Sequence, residues 1–293
     1  MADRPVSVVT GANSGIGRAI SLHLAAQGHT VIGTVRSAAK ADKLLAMAQQ
    51  AGVTVHLAEL DIADDASVAA GFNDIIGRQG RVDHLVNNAG VGGNATVEEC
   101  STELFLDVMN VDLCGGVRCI QAVLPQMRER GAGTIVNITS VTGRFGAIGQ
   151  APYVASKWAF EGISEQLALE VAPFGVRVAI IEPGITKSAI FVKNTDAPNA
   201  TGAYDMQYRR MFQMYAAGIA QATDPIEVAA IVHHAITTNE PQLRYTVSWG
   251  GAGLVEGRAA MSDADWIALG ATENDAEYYE LFKQHFGVDI APA

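Results

Sequence analysis

A chain of 293 residues with 49% apolar content can bury a sizeable core, and that length fits one large α/β domain better than two small ones. A formal net charge of −11 argues against general nucleic-acid binding, because phosphates need a basic footprint. No apolar run approaches the ~20 residues that span a bilayer, and Met1 to Pro5 leave no room for a signal peptide before the first apolar stretch, so the expected location is cytoplasmic.

The unbroken apolar run Val6-Ser7-Val8-Val9 predicts a buried strand over 6–10. A glycine loop, Thr10-Gly11-Ala12-Asn13-Ser14-Gly15-Ile16-Gly17, comes next. Apolar residues at helical spacing then predict a helix over 15–27, ended by Gly28. Strand, glycine loop and helix in that order are what a phosphate-binding turn requires. Glycines allow tight backbone angles and let a pyrophosphate approach the helix N-terminus.

Further strands are predicted over 30–35, 54–59, 84–87, 134–139, 177–181 and 244–248. Helices are predicted over 38–50, 65–78, 102–130, 153–172 and 225–237. Such alternation implies a parallel sheet with helices on both faces. Two regions look added to a core over 5–250. In the insertion over 185–223, Tyr204, Tyr208, Met211, Phe212 and Tyr215 form a helical stripe. It either lines a substrate pocket or simply packs on the body. In the tail over 250–293, Ser262 resembles a helix cap, and Thr272 is a candidate cap for a helix carrying Tyr278, Phe282 and Phe286 to Gly287. That tail covers the active site, covers a subunit, or merely packs. Cys100, Cys114 and Cys119 form no Cys-x-x-Cys and read as reduced thiols.

The chemistry lies in Tyr153-Val154-Ala155-Ser156-Lys157, with Ser140 thirteen residues upstream. The i, i+4 spacing puts Lys157 on the helix face of Tyr153, and Pro152 suits a helix start there. A phenol with a pKa near 10 is a poor base at neutral pH. A nearby ammonium favours the phenolate and lowers that pKa. Ser140 can donate to a substrate oxygen on which negative charge develops. His233 and His234 are adjacent in a predicted helix and do not face together, so no metal site is expected.

In these motifs the chain resembles the short-chain dehydrogenase/reductase family, in family order, over residues 5–250. Its matching parts are the glycine loop, Asp61, Asn87-Asn88-Ala89-Gly90, Asn110, Ser140, Tyr153, Lys157 and Pro183-Gly184. The resemblance implies a Rossmann-like doubly wound parallel sheet in a single domain, 1–293, and an oxidoreductase that interconverts a carbonyl and an alcohol. It implies that Tyr153 is the general acid in reduction and the base in oxidation. Lys157 supports it and hydrogen-bonds the nicotinamide ribose, and Asn110 holds a water that links Lys157 to solvent. Asp61 and Ile62 meet the adenine, although Asp61 also suits a helix cap. Asn88, Ala89 and Gly90 lie under the ribose and phosphates. Ile185 and Thr186 approach the carboxamide, with Thr186 or Ser188 toward pyrophosphate.

Family members that prefer NAD carry an acid at the end of the second strand. Here Val35 holds that position and Arg36-Ser37 follow. A guanidinium suits a 2′-phosphate, so NADP(H) is expected, with NAD(H) as the alternative if Arg36 is merely exposed. Thr142, Phe145, Gln150, Ile190 and Phe191 are expected beside the carbonyl with Ser140 and Tyr153. Their apolar bias points to a lipophilic ketone, aldehyde or alcohol, while Arg144 and Lys193 leave an acidic substrate open. A non-catalytic nucleotide sensor is the reading from another class, and the presence of both Tyr153 and Lys157 disfavours it. In the family the helices near 102–130 and 153–172 commonly pack between subunits, which implies a homodimer or homotetramer.

Overall fold

The computed structural model describes residues 4–188 and 197–292. Its strands are β1 (Val6–Val9), β2 (Thr30–Val35), β3 (Val55–Glu59), β4 (His84–Asn87), β5 (Gly133–Ile138), β6 (Val176–Pro183) and β7 (Arg244–Val247). They form one parallel sheet in the order β3-β2-β1-β4-β5-β6-β7. All seven lie where the sequence put them, to within two residues at each end.

A parallel sheet is covered on both faces, which is why its strands read as continuous apolar runs. Val8 and Val9 show the consequence. Adjacent strand residues point to opposite faces. Val8 joins a core with Phe72, Met127 and Phe160, whereas Val9 joins one with Ile20, Leu24 and Val232. Helices α1 (Gly15–Ala26) and α2 (Asp42–Gln50) pack on the Val9 side, and α3 (Asp65–Gln79) on the Val8 side. β1 pairs with both β2 and β4. The connections leaving β1 and β4 therefore part to opposite faces, and a crevice opens beyond the carboxyl ends of the strands.

Two expected helices are interrupted. The 38–50 stretch is a short turn of 3₁₀ helix, Ala38–Lys40, followed by α2. The 102–130 stretch is α4 (Thr102–Met109) and α5 (Gly115–Arg130), joined by a turn of π-helix over Asn110–Cys114. Close packing explains the glycines that follow. A Cβ on Gly115 would meet Ile62 at 2.7 Å, and one on Gly116 would meet Phe160 at 2.6 Å. Phe160 belongs to α6 (Ala151–Val171), whose first turn holds Pro152.

In the insertion, α7 (Asp205–Ala220) buries Tyr208, Met211 and Tyr215, while Phe212 of the expected stripe stays exposed. α8 (Pro225–Thr237) packs against α1. The tail forms three helices, α9 (Gly251–Ala260), α10 (Asp263–Ala271) and α11 (Asp275–Phe286). Sequence periodicity gave no sign of α9. Ser262 caps α10, its Oγ accepting from the Asp265 amide at 3.1 Å. Thr272 is not the cap of α11. Its hydroxyl donates back to Ala268 O, and Asn274 caps instead, accepting from the Glu277 amide at 3.1 Å. α11 buries Tyr278, Phe282 and Phe286 in a cluster with Val141, Phe145 and Leu254. The tail thus packs on the segment that follows Ser140. Among the described residues no helix is long and apolar enough to cross a membrane.

Candidate active site

A cleft of about 620 Å³ runs along the carboxyl ends of the central strands. The turn after β1 is fastened to the turn after β4. The Thr10 hydroxyl accepts from the amides of Asn88 and Ala89 at 2.9 and 3.0 Å, and the Asn88 side-chain amide donates to Thr10 O at 2.8 Å. Gly17 faces this junction. A Cβ there would stand 2.3 Å from Asn88 Nδ2 and 2.5 Å from Gly11 O. Gly15 has φ +51°, in the left-handed region that favours glycine. Ser14, at the N-terminus of α1, makes no side-chain cap bond, so the first-turn amides are left for a ligand. This cradle fits a dinucleotide pyrophosphate by its shape and donors.

Gly11, Asn13, Ser14, Gly15, Ile16 and Gly17 line the cleft, as do Arg36, Ser37, Asp61, Ile62, Asn88, Ala89 and Gly90. Farther along it lie Ser140, Thr142, Gln150, Tyr153, Lys157, Pro183, Gly184, Ile185, Thr186 and Ser188. Asp61 does not cap α3. Its carboxylate accepts from the Ala63 amide, and Asp64 is the cap. Lys40 also lines the cleft near Arg36 and Ser37. Sequence reasoning missed it. Its place three residues beyond Ser37, in the turn leaving β2, was the available signal.

β5 delivers Ser140, and the first two turns of α6 deliver Tyr153 and Lys157. The Ser140 hydroxyl lies beside the Tyr153 phenol and accepts from the Thr142 amide at 3.2 Å. Lys157 is buried, with Nζ 5.5 Å from the centre of the Tyr153 ring and 3.5 Å from Ile138 O. Its charged partner is Asp112, whose Oδ2 lies 3.4 Å away. Asp112 is itself buried, and its Oδ1 accepts from the Val91 amide at 2.7 Å.

Two expectations are corrected here. Asn110 does not face Lys157 and does not line the cleft. Its Oδ1 accepts from Arg118 at 2.8 Å, and its Nδ2 donates to Ala63 O at 3.3 Å. Residues two apart in a helical turn point to nearly opposite sides, so only one of Asn110 and Asp112 can face α6, and it is Asp112. The second correction concerns Tyr153. Burial, reinforced by the Asp112 charge, pushes its phenol above the ordinary value. Lys157 and Ser140 pull downward and are outweighed in the protein alone. Burial also pushes the Asp112 carboxyl up. Burial disfavours the Lys157 ammonium, yet Asp112 and Tyr153 together carry its pKa above the usual lysine value. Lys157 and Asp112 thus form a buried pair directly behind the phenol.

On the substrate side, the buried Thr142 hydroxyl has no hydrogen-bond partner among the described residues. Met214, Tyr215 and Leu254 close that end of the cleft, and the Tyr215 hydroxyl bonds Asn94 Oδ1 at 2.9 Å. Phe145 is not in the cleft. It lines a second cavity behind Gln150. Arg144 makes a salt bridge to the buried Glu182 at 3.0 Å. Ile190, Phe191 and Lys193 lie outside the described residues.

Comparison with known proteins gives the same family for most of the chain. A family model described as short chain dehydrogenase matches residues 5–199. The 17-beta-hydroxysteroid dehydrogenase type 1 of Mus musculus is 35% identical over 254 residues, covering 83% of this chain and 73% of that protein. A crystal structure of a short-chain dehydrogenase from Streptomyces avermitilis superposes with a TM-score of 0.79 at 35% identity, covering 93% of this chain and all of the other. A crystal structure of actinorhodin polyketide ketoreductase with NADPH superposes with a TM-score of 0.69 at 33% identity, covering 80% of this chain and 91% of that one.

Proposed function

Because the chain belongs to the short-chain dehydrogenase/reductase family, and so is an oxidoreductase acting on CH–OH donors, we propose that it uses NADP(H) to interconvert a lipophilic ketone or aldehyde and its alcohol. The observation that carries this reading is the joining of Ser140, Tyr153 and Lys157 to the glycine cradle in one cleft. A bound nicotinamide supplies the hydride in reduction and takes it back in oxidation. Every other task falls to side chains. Tyr153 gives the proton to the carbonyl oxygen, or removes it from the alcohol. The Ser140 hydroxyl donates to the same oxygen as charge builds on it, and the unpartnered Thr142 hydroxyl is a further donor to the substrate. Lys157 keeps a positive charge beside the phenol, and Asp112 keeps Lys157 in place and protonated.

The NADP(H) reading is supported by Arg36 and Lys40, two cations at the adenosine end, and by buried Val35 where an acid would repel a 2′-phosphate. Other observations favour a homo-oligomer. Leu106 on α4, with Trp158 and Leu169 on α6, is exposed at 69%, 49% and 78% respectively, and apolar side chains on such helices are the stuff of subunit contacts. The three cysteines are unpaired, which suits a reducing compartment.

The test is a panel of ketones and aldehydes with NADPH and NADH, run beside Tyr153→Phe. Turnover with NADPH should fall by roughly 10²–10⁴-fold in the variant while NADPH still binds. Near-normal kcat in that variant would overturn the reading.

A further inference from the structure

Behind the catalytic cleft lies a second chamber of about 150 Å³. Gln150 and Met214 line both spaces and form the partition between them. Beyond it the walls are Phe145, Met211, Trp266 and Phe282, drawn from the segment after Ser140, from α7 and from the helical tail. Arg210 also reaches this wall, but its guanidinium is already engaged. Nε donates to Asp275 at 2.8 Å and Nη2 to Thr272 O at 2.7 Å, and the group lies 4.1 Å from the centre of the Tyr278 ring. Such a chamber offers an incoming group aromatic and thioether surface rather than a free charge.

The chamber is partly open rather than sealed, and its volume matches that of an apolar cavity that holds one benzene ring. Methionine is the side chain best able to give way at such a partition. We propose that the chamber is a substrate subsite that seats a single uncharged ring at the far end of the carbonyl compound, entered from the cleft past Gln150 and Met214. This rests on the carbonyl-reductase reading and adds to it a substrate shape: a carbonyl head, a short apolar span and a terminal ring.

Gly146 supplies the test. It lines the chamber at ordinary φ, and a Cβ there would meet only the Trp266 ring, at 3.7 Å. Gly146→Leu therefore fills the chamber without a backbone clash. Two methyl ketones serve as probes, 2-butanone and 4-phenyl-2-butanone, which differ by a terminal phenyl group. The native enzyme with NADPH should show kcat/KM at least about tenfold higher for the phenyl ketone, since even one methylene in an apolar pocket is worth roughly tenfold or more. In Gly146→Leu that ratio should collapse by about the same factor. In parallel, 4-phenyl-2-butanone should quench tryptophan fluorescence in the native enzyme, less in Gly146→Leu and not in Trp266→Phe. A ratio unchanged by Gly146→Leu, or the absence of a Trp266-dependent quench, overturns the subsite. Turnover of 2-butanone without that quench sinks the subsite and leaves the reductase reading standing. A Trp266 quench sensitive to Gly146→Leu, with neither ketone reduced, upholds the subsite and counts against the reductase reading.

Discussion

The Lys157 ammonium sits 3.4 Å from the Asp112 carboxylate, and both side chains are buried. This pair sets the charge that Tyr153 feels. The carboxylate opposes ionisation of the phenol and the ammonium favours it. Asp112→Asn keeps the shape and the bond from the Val91 amide but deletes the negative charge. As long as Lys157 keeps its proton, Tyr153 should then ionise more readily. The rise of oxidation rate with pH, and the fall of reduction rate with pH, should both move to lower pH. Deleting one member of a buried pair should cost no more than about 3 kcal/mol of stability here, the lower end for such pairs, because the amide still accepts from Val91. Unmoved pH–rate profiles would show that Asp112 is only structural.

Gly17 is where the nucleotide cradle and the turn after β4 come closest. Its missing Cβ would overlap Asn88 Nδ2 at 2.3 Å and Gly11 O at 2.5 Å. Gly17→Ala should force apart the contact between Thr10 and Asn88 that couples the two turns. Overpacking of this kind costs about 1–3 kcal/mol. The expected result is a lower melting temperature and NADPH binding weakened by roughly tenfold or more. Calorimetric titration with NADPH measures it, and unchanged affinity would show that the loop can shift without loss.

The sheet was legible because its strands are buried on both faces and so read as unbroken apolar runs. Val8 and Val9 feed opposite cores, yet both had to be apolar. The glycine loop and the Tyr153–Lys157 turn were legible because fixed spacings carry them. The exchange of Asn110 for Asp112 was not, because the π-turn over Asn110–Cys114 decides which side chain faces α6, and no local pattern announces it. α9 was hidden by the same glycines that make it possible. A Cβ on Gly253 would meet Phe286 O at 2.2 Å, and one on Gly257 would meet His285 O at 2.5 Å. Glycine argues against a helix locally, but here α11 must pass against that face.

Arg36 and Lys40 flank Ser37 at one end of the cleft. Each charge-assisted bond to a 2′-phosphate is worth about 2 kcal/mol, or roughly 30-fold. Arg36→Ala should therefore raise KM for NADPH by about that factor, and Lys40→Ala should raise it less, because an ammonium lacks the bidentate fork. NADH, which has no 2′-phosphate, should be nearly indifferent to both changes. Steady-state kinetics with the two cofactors decides this. A native preference for NADH that survives in Arg36→Ala would remove the case for NADP(H).

Far from the cleft, at the amino ends of the strands, histidines gather. The His29 and His84 rings lie 5.5 Å apart, and His233 lies 5.6 Å from His23 and 5.9 Å from His29. Burial lowers the pKa values of His23, His29 and His84, with neighbouring histidine charge adding to the effect. For His84, burial and then His29 bring the value to about 4. A histidine with a depressed folded pKa takes up its proton more readily when unfolded. Stability is therefore complete above the unfolded value near 6.5 and is lost as pH falls from there toward about 4. His84 alone should remove about 2 kcal/mol between pH 7 and pH 5. Urea unfolding at the two pH values, in the native protein and in His84→Gln, isolates this contribution. The variant should lose about 2 kcal/mol less than the native protein over that window. Equal losses in the two would mean that His84 is already protonated, or freely titrating, in the folded state.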